Sequence, residues 1–140
     1  MTKKIALVGC GYWGPNLLRN LFEHPDCEMA YCCDKDSERL KQVKKRYPTI
    51  NLTLDYKTVL SDPRVDAVVL ATPPATHFLF AKRAIEAGKD VLIEKPMTIK
   101  TSDAVKLESL ANKHKKVVMI DHTFIFCEPV KMVKKIIENG

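Results

Sequence analysis

A doubly wound α/β domain, with a six-stranded parallel sheet and helices on both faces, is the fold the sequence predicts. Short apolar runs alternate with helical patterns along the whole chain. The strand-like runs are apolar throughout rather than alternating in polarity, as strands covered on both faces require. The first run ends in a glycine-rich turn that opens directly into a helix.

The first strand is placed at residues 4–9, and Leu17, Leu18, Leu21 and Phe22 mark one face of the helix after it. A second strand covers residues 28–33, and Asp36 or Ser37 can start the next helix. Residues 51–54 form a third strand, with Pro48 and Pro63 lying between elements. The fourth is at 67–71, followed by a helix with Phe78, Ala81 and Ile85 at i, i+3, i+7 and Gly88 as its stop. Residues 90–93 and 117–120 supply the last two strands. Between them Ala104, Leu107 and Ala111 repeat the helical spacing, with Thr101 or Ser102 as cap. Val130, Val133 and Ile137 mark a final helix whose apolar face needs a cover.

Composition narrows the class. A chain of 140 residues is long enough for one domain with a proper core. No apolar run approaches the ~20 residues of a membrane helix, and the opening Met-Thr-Lys-Lys is no secretory signal. A cytoplasmic protein without a membrane partner is expected. The net charge is +6, but its lysines are dispersed over helix faces (Lys44 and Lys45; Lys113, Lys115 and Lys116; Lys131, Lys134 and Lys135). No nucleic-acid module accompanies them, so solvated faces explain the charge and nucleic acid is not an expected partner. Cys10, Cys27, Cys32, Cys33 and Cys127 show no metal-ligand spacing and are expected as reduced thiols, with no metal bound.

The chemistry begins in "VGCGYWGPN". Gly9, Gly11 and Gly14 follow a strand and open a helix, the context in which this spacing binds a dinucleotide. One glycine makes the tight turn, one admits a pyrophosphate to the backbone, and one lets helix and strand approach. Free amides at the helix start then hold the phosphates. Asp34 stands 20 positions after Gly14 at the end of the second strand, where its carboxylate can accept hydrogen bonds from the adenosine ribose. That acid favours NAD, while Lys35 and Arg39 keep NADP possible. Tyr12 and Trp13 lie within the loop, where an aromatic pair either touches the cofactor or fills space above the sheet; packing is the commoner role for Trp13.

Ligands of open α/β sheets lie beyond the carboxyl ends of the strands. The fourth strand ends in "ATPPATH". Thr72 and Pro73 would lie at the crevice, Thr76 is expected as N-cap, and His77 is either a surface histidine or a cofactor contact. The fifth ends in "VLIEKPM". Glu94 can accept from the nicotinamide ribose, and Lys95 can exchange a proton when a hydroxyl becomes a carbonyl. Pro96 fixes the backbone that aims both. Asp121, His122 and Thr123 end the sixth strand at the same edge.

"IALVGCGYWGPNLLRN", "ATPPATHFLFAKRAIEAGKDVLIEKPMT" and "IDHTFIFCEPVKMVKKII" together resemble the Gfo/Idh/MocA family of sugar and cyclitol oxidoreductases. The resemblance implies NAD(P)-dependent hydride transfer at a carbon of a sugar, cyclitol or nucleotide-linked sugar. It implies Lys95 as catalytic lysine, Glu94 beside the nicotinamide ribose, and a cis Pro96. Gly9, Gly11, Gly14 and Asp34 match its dinucleotide contacts, and Thr72, Pro73 and His77 its strand-four turn. It also implies a second, substrate-binding domain and a homo-oligomer when full length. Residues 1–123 are then the nucleotide-binding domain and 124–140 the start of the connection, leaving this stretch with little turnover alone. The alternative is a non-catalytic NAD(H)-binding module that reports redox state to a partner.

Overall fold

The computed structural model describes residues 2–140. The elements run β1 (Lys3–Val8), α1 (Gly14–Glu23), β2 (Cys27–Cys33), α2 (Ser37–Arg46), β3 (Asn51–Thr53), α3 (Tyr56–Ser61) and β4 (Ala67–Leu70). They continue α4 (Pro74–Glu86), β5 (Asp90–Glu94), α5 (Thr101–His114), β6 (Val118–Asp121), a 3₁₀ turn (Thr123–Phe126) and α6 (Glu128–Asn139). One six-stranded sheet has the order β3-β2-β1-β4-β5-β6, and its strands pair in parallel throughout. This is the predicted architecture.

The alternation of side chains along each strand divides the interior in two. Ile5 and Leu7 of β1 face a core with Leu18 of α1 and Leu40 and Val43 of α2. Ala6 and Val8 face the opposite core with Ala81 and Ile85 of α4 and Leu107 and Ala111 of α5. The apolar runs are continuous because both faces of the strands are covered. Fully buried side chains such as Leu7 and Leu18 each contribute roughly 1.5–3 kcal/mol.

The structure corrects several boundaries. Gly9 and Ala71 fall outside their strands, while Glu94 and Asp121 fall inside theirs as ladder partners. Thr101 and Ser102 do not cap α5; Lys100, in an extended conformation, holds that position without a side-chain bond. Thr76 is not the cap of α4 either. The helix begins at Pro74, and the Thr76 hydroxyl donates back to the Pro73 carbonyl at 2.7 Å. Helix α3 is absent from the sequence reading because a six-residue helix gives no periodic signal. It is defined by Asp55, whose carboxylate accepts from the Lys57 amide at 2.9 Å, and by burial of Tyr56 and Val59. Asp36 caps α2 and Gly88 adopts positive φ beyond α4, both as expected.

The last helix contrasts with all this. No residue of α6 is buried, and Val130, Val133 and Ile137 lie open. Among the described residues no helix is long and apolar enough to cross a membrane.

Candidate cofactor and catalytic site

Parallel pairing puts every strand's carboxyl end at one edge, and the order reverses between β1 and β4. The crevice opens at that switch point. On one side stands the loop from Gly9 to Gly14. Gly9 has φ +97°, and a Cβ there would lie 2.5 Å from the Ala71 oxygen. A Cβ on Gly14 would lie 2.2 Å from the Gly9 oxygen. These two glycines serve the fold itself, the first by a left-handed turn and the second by close helix approach. Gly11 differs. Its Cβ would meet only the Arg39 guanidinium, at 3.5 Å, so its bareness leaves the backbone approachable from outside.

The loop's amides divide in the same way. Gly9 N–H donates to the Cys33 carbonyl at 2.8 Å and Cys10 N–H to Asp34 Oδ2 at 2.6 Å. Among the described residues the amides of Gly11, Tyr12 and Trp13 have no partner in the chain. They precede α1, whose positive dipole end adds to their field. An open cradle of free amides at a helix start fits the phosphates of a dinucleotide. Tyr12 is almost fully exposed and Trp13 nearly half exposed, so neither plugs the sheet. Trp13 is the N-cap residue of α1, and its carbonyl accepts from the Asn16 amide at 3.0 Å.

Asp34 is buried, with Oδ2 on the Cys10 amide and Oδ1 on the Asp36 amide at 2.9 Å. The acid therefore braces the glycine loop. A carboxylate has about four acceptor positions, so about two are left by the loop. Arg39 lies over it, 3.8 Å from Oδ2 and 3.4 Å from the Asp36 carboxylate. The thiols beneath are packing groups. Burial, with Cys10 and Asp34 nearby, pushes the Cys33 thiol up to about 12, and the Cys32 thiol is raised by its hydrogen bond to Cys10 and by burial.

Across the switch point, Thr72 and Thr76 share a hydroxyl–hydroxyl bond of 2.7 Å at the end of β4. Pro73 is exposed at this turn. His77 needs correction. It is neither a surface histidine nor open to the crevice, being completely buried. Its Nε2 lies 2.7 Å from the Thr72 oxygen and its Nδ1 2.8 Å from the Pro96 oxygen.

At the end of β5, Glu94 is half-buried and Lys95 exposed. The Lys95–Pro96 bond is cis, as the resemblance implies. Glu94 Oε2 accepts from the Lys95 amide at 3.2 Å, while Oε1 is buried without a partner. Glu94 pairs in register with Asp121 of β6. Burial raises the Glu94 carboxyl to about 7, helped by the Asp121 carboxylate, which can accept from it only while Glu94 is protonated. Sequence reading placed Asp121 at this edge and missed the pairing, whose signal is that both acids end adjacent strands. Lys95 and the glycine loop occupy the same edge with β4 between them, a separation of about two strand spacings, or ~10 Å.

The sequence profile of the Gfo/Idh/MocA family, described as "Oxidoreductase family, NAD-binding Rossmann fold", matches residues 3–122. The chain is 34% identical over 120 residues to the uncharacterized oxidoreductase YdgJ of Escherichia coli, covering 85% of this chain and 34% of that protein. It is 26% identical to the scyllo-inositol 2-dehydrogenase (NADP(+)) IolW of Bacillus subtilis, covering 99% and 39%. Among solved structures, the 3-ketoreductase KijD10 of Actinomadura kijaniata, in complex with NADP and TDP-benzene, superposes with TM-score 0.90 at 25% identity, covering 100% and 43%. The chain thus spans about two fifths or less of the relatives it matches. With its glycine cradle, its acid and its doubly wound sheet, this chain belongs to the Gfo/Idh/MocA oxidoreductase family and is an NAD(P)-binding domain of it.

Proposed function

We propose that the chain is the cofactor half of an oxidoreductase that transfers a hydride between nicotinamide and a sugar, cyclitol or nucleotide-linked sugar. The observation that carries this reading is the arrival of Glu94 and Lys95 at the edge where Gly11 leaves amides open. IolW is named for a cyclitol, and the KijD10 complex holds a nucleotide-linked ligand. Both support the substrate class. Bound nicotinamide supplies the hydride acceptor or donor. Lys95 Nζ takes the substrate hydroxyl's proton during oxidation, or returns it during reduction. The Gly11, Tyr12 and Trp13 amides hold the phosphates, and Gly9 and Gly14 shape the loop that presents them. Asp34 accepts from the adenosine ribose and favours NAD, with NADP admitted beside Lys35 and Arg39. Thr72 and Pro73 form the wall between cradle and lysine, and Glu94 accepts from the nicotinamide ribose. Residues 1–123 are the nucleotide-binding domain, and 124–140 lead towards a substrate domain that also joins subunits.

Fluorescence titration with NADH and NADPH tests binding. Lys95→Ala should leave affinity within about tenfold, or 1.4 kcal/mol, and abolish turnover in the complete gene product assayed on cyclitols, aldoses and nucleotide-linked sugars. Full turnover in that variant would refute the assignment. The open apolar face of α6 favours one other reading, a redox-reporting module that releases or recruits a partner with NADH. Partner association indifferent to NADH would remove it.

A further inference from the structure

The His77 ring lies between the turns that end β4 and β5. Its partners, the carbonyls of Thr72 and Pro96, belong to the exits of β4 and β5. Among the described residues no backbone N–H reaches either oxygen. Without the ring both carbonyls lose the partner the chain gives them in a part-buried setting, and a polar group left without a partner costs more the less water reaches it. Few side chains span this gap. Asparagine is too short, and glutamine carries both its hydrogens on one nitrogen. The backbone of His77 is itself held in the first turn of α4, behind Pro73 and Pro74.

We propose that His77 is a positioning residue for Lys95, its ring bridging the carbonyls of Thr72 and Pro96 so that the two turns keep one spacing. The proposal rests on the reading of Lys95 as proton-transfer group. The chemistry of the acceptors sets its form. A carbonyl oxygen only accepts, so a ring N–H facing one at 2.7–2.8 Å donates to it. The Pro96 carbonyl lies one residue beyond Lys95, and the proline ring joins it to the Lys95 peptide, so its anchorage restrains the turn from which the lysine side chain leaves. Thr72, held by the same ring, keeps its hydroxyl on Thr76. The β4 turn and the lysine turn move as one body.

The test uses isotope-labelled chain and NADH. Nitrogen spectra of the His77 ring should show a ring N–H protected from solvent exchange; a ring whose hydrogens exchange as fast as those of free imidazole overturns the bridge. His77→Gln and His77→Phe should shift the Lys95 Cε resonance and speed exchange of the Lys95 amide at least tenfold, while NADH affinity stays within about threefold. An unmoved Lys95 in a folded variant overturns the positioning role. So does a loss of NADH affinity as large as the change at Lys95, because the ring would then act on the cofactor. If neither variant folds, the wild-type ring spectrum still decides. Failure of the underlying reading would appear separately, as turnover surviving in Lys95→Ala.

Discussion

At the β1–β2 side of the crevice the candidate groups belong to the backbone, and at the β4–β5–β6 side they are side chains. The first side depends on what is missing: no Cβ at Gly9, Gly11 or Gly14, and no internal partner for three amides. The second depends on what is added: an acid beside an acid, a lysine, and a buried imidazole. Backbone geometry suits a ligand common to many enzymes, such as a diphosphate. Side chains at strand ends can be exchanged without altering the sheet, so they suit chemistry that differs between enzymes. The contrast also predicts how each side fails. Damage to the cradle costs the fold or the cofactor, whereas damage opposite changes charge and placement.

The largest effect should come from Gly9→Ala or Gly14→Ala. Each puts a methyl group against backbone that cannot yield, and stability should fall by about 3 kcal/mol or more in thermal or denaturant unfolding. Wild-type stability in either variant would break the claim that this side is built on missing atoms. Gly11→Val should behave differently, because its Cβ has room. Stability should stay within about 1 kcal/mol, while NADH affinity is abolished or falls at least tenfold, about 1.4 kcal/mol. Unchanged affinity would separate Gly11 from the phosphate site.

On the opposite side the sharpest measurement is pH. Glu94 titrates near 7 in the fold and near 4.5 when free. Between those values the folded chain holds the extra proton, so stability declines as pH rises. The contribution is complete below pH 4.5 and lost through pH 7. Glu94→Gln should flatten that part of the stability profile, and Asp121→Asn should lower the titration midpoint of the Glu94 carboxyl carbon seen by NMR. A midpoint that ignores Asp121→Asn would mean burial alone raises the acid. The smallest effect is a control away from both sides. Asp36→Ala removes the α2 cap, whose Oδ1 accepts from the Glu38 amide at 2.9 Å, at a cost of about 1 kcal/mol.

Much of the cradle was legible beforehand because local rules govern it. Three glycines, a helix start and an acid at the next strand end are neighbours in sequence or nearly so. The far side was less legible. Thr76 reads as a cap by residue type, yet the prolines before it start α4 early and turn its hydroxyl back to Pro73. His77 has no sequence signal for burial, because its two partners are Thr72, nearby, and Pro96, nineteen residues away. Helix α3 was too short for any period to show.

The residues by themselves determined the alternation of elements and the glycine turn at the switch-point crevice, and they marked Asp34 and Lys95 as the candidate acid and lysine there. Periodicity and glycine geometry act over a few residues, which is why one sequence sufficed. Tertiary structure decided the rest. It left Gly11 open while closing Gly9 and Gly14, committed half of Asp34 to the loop, set Glu94 against Asp121 and buried His77 between two turns. Those outcomes depend on which strand lies beside which, and that order emerges only when distant segments share one sheet.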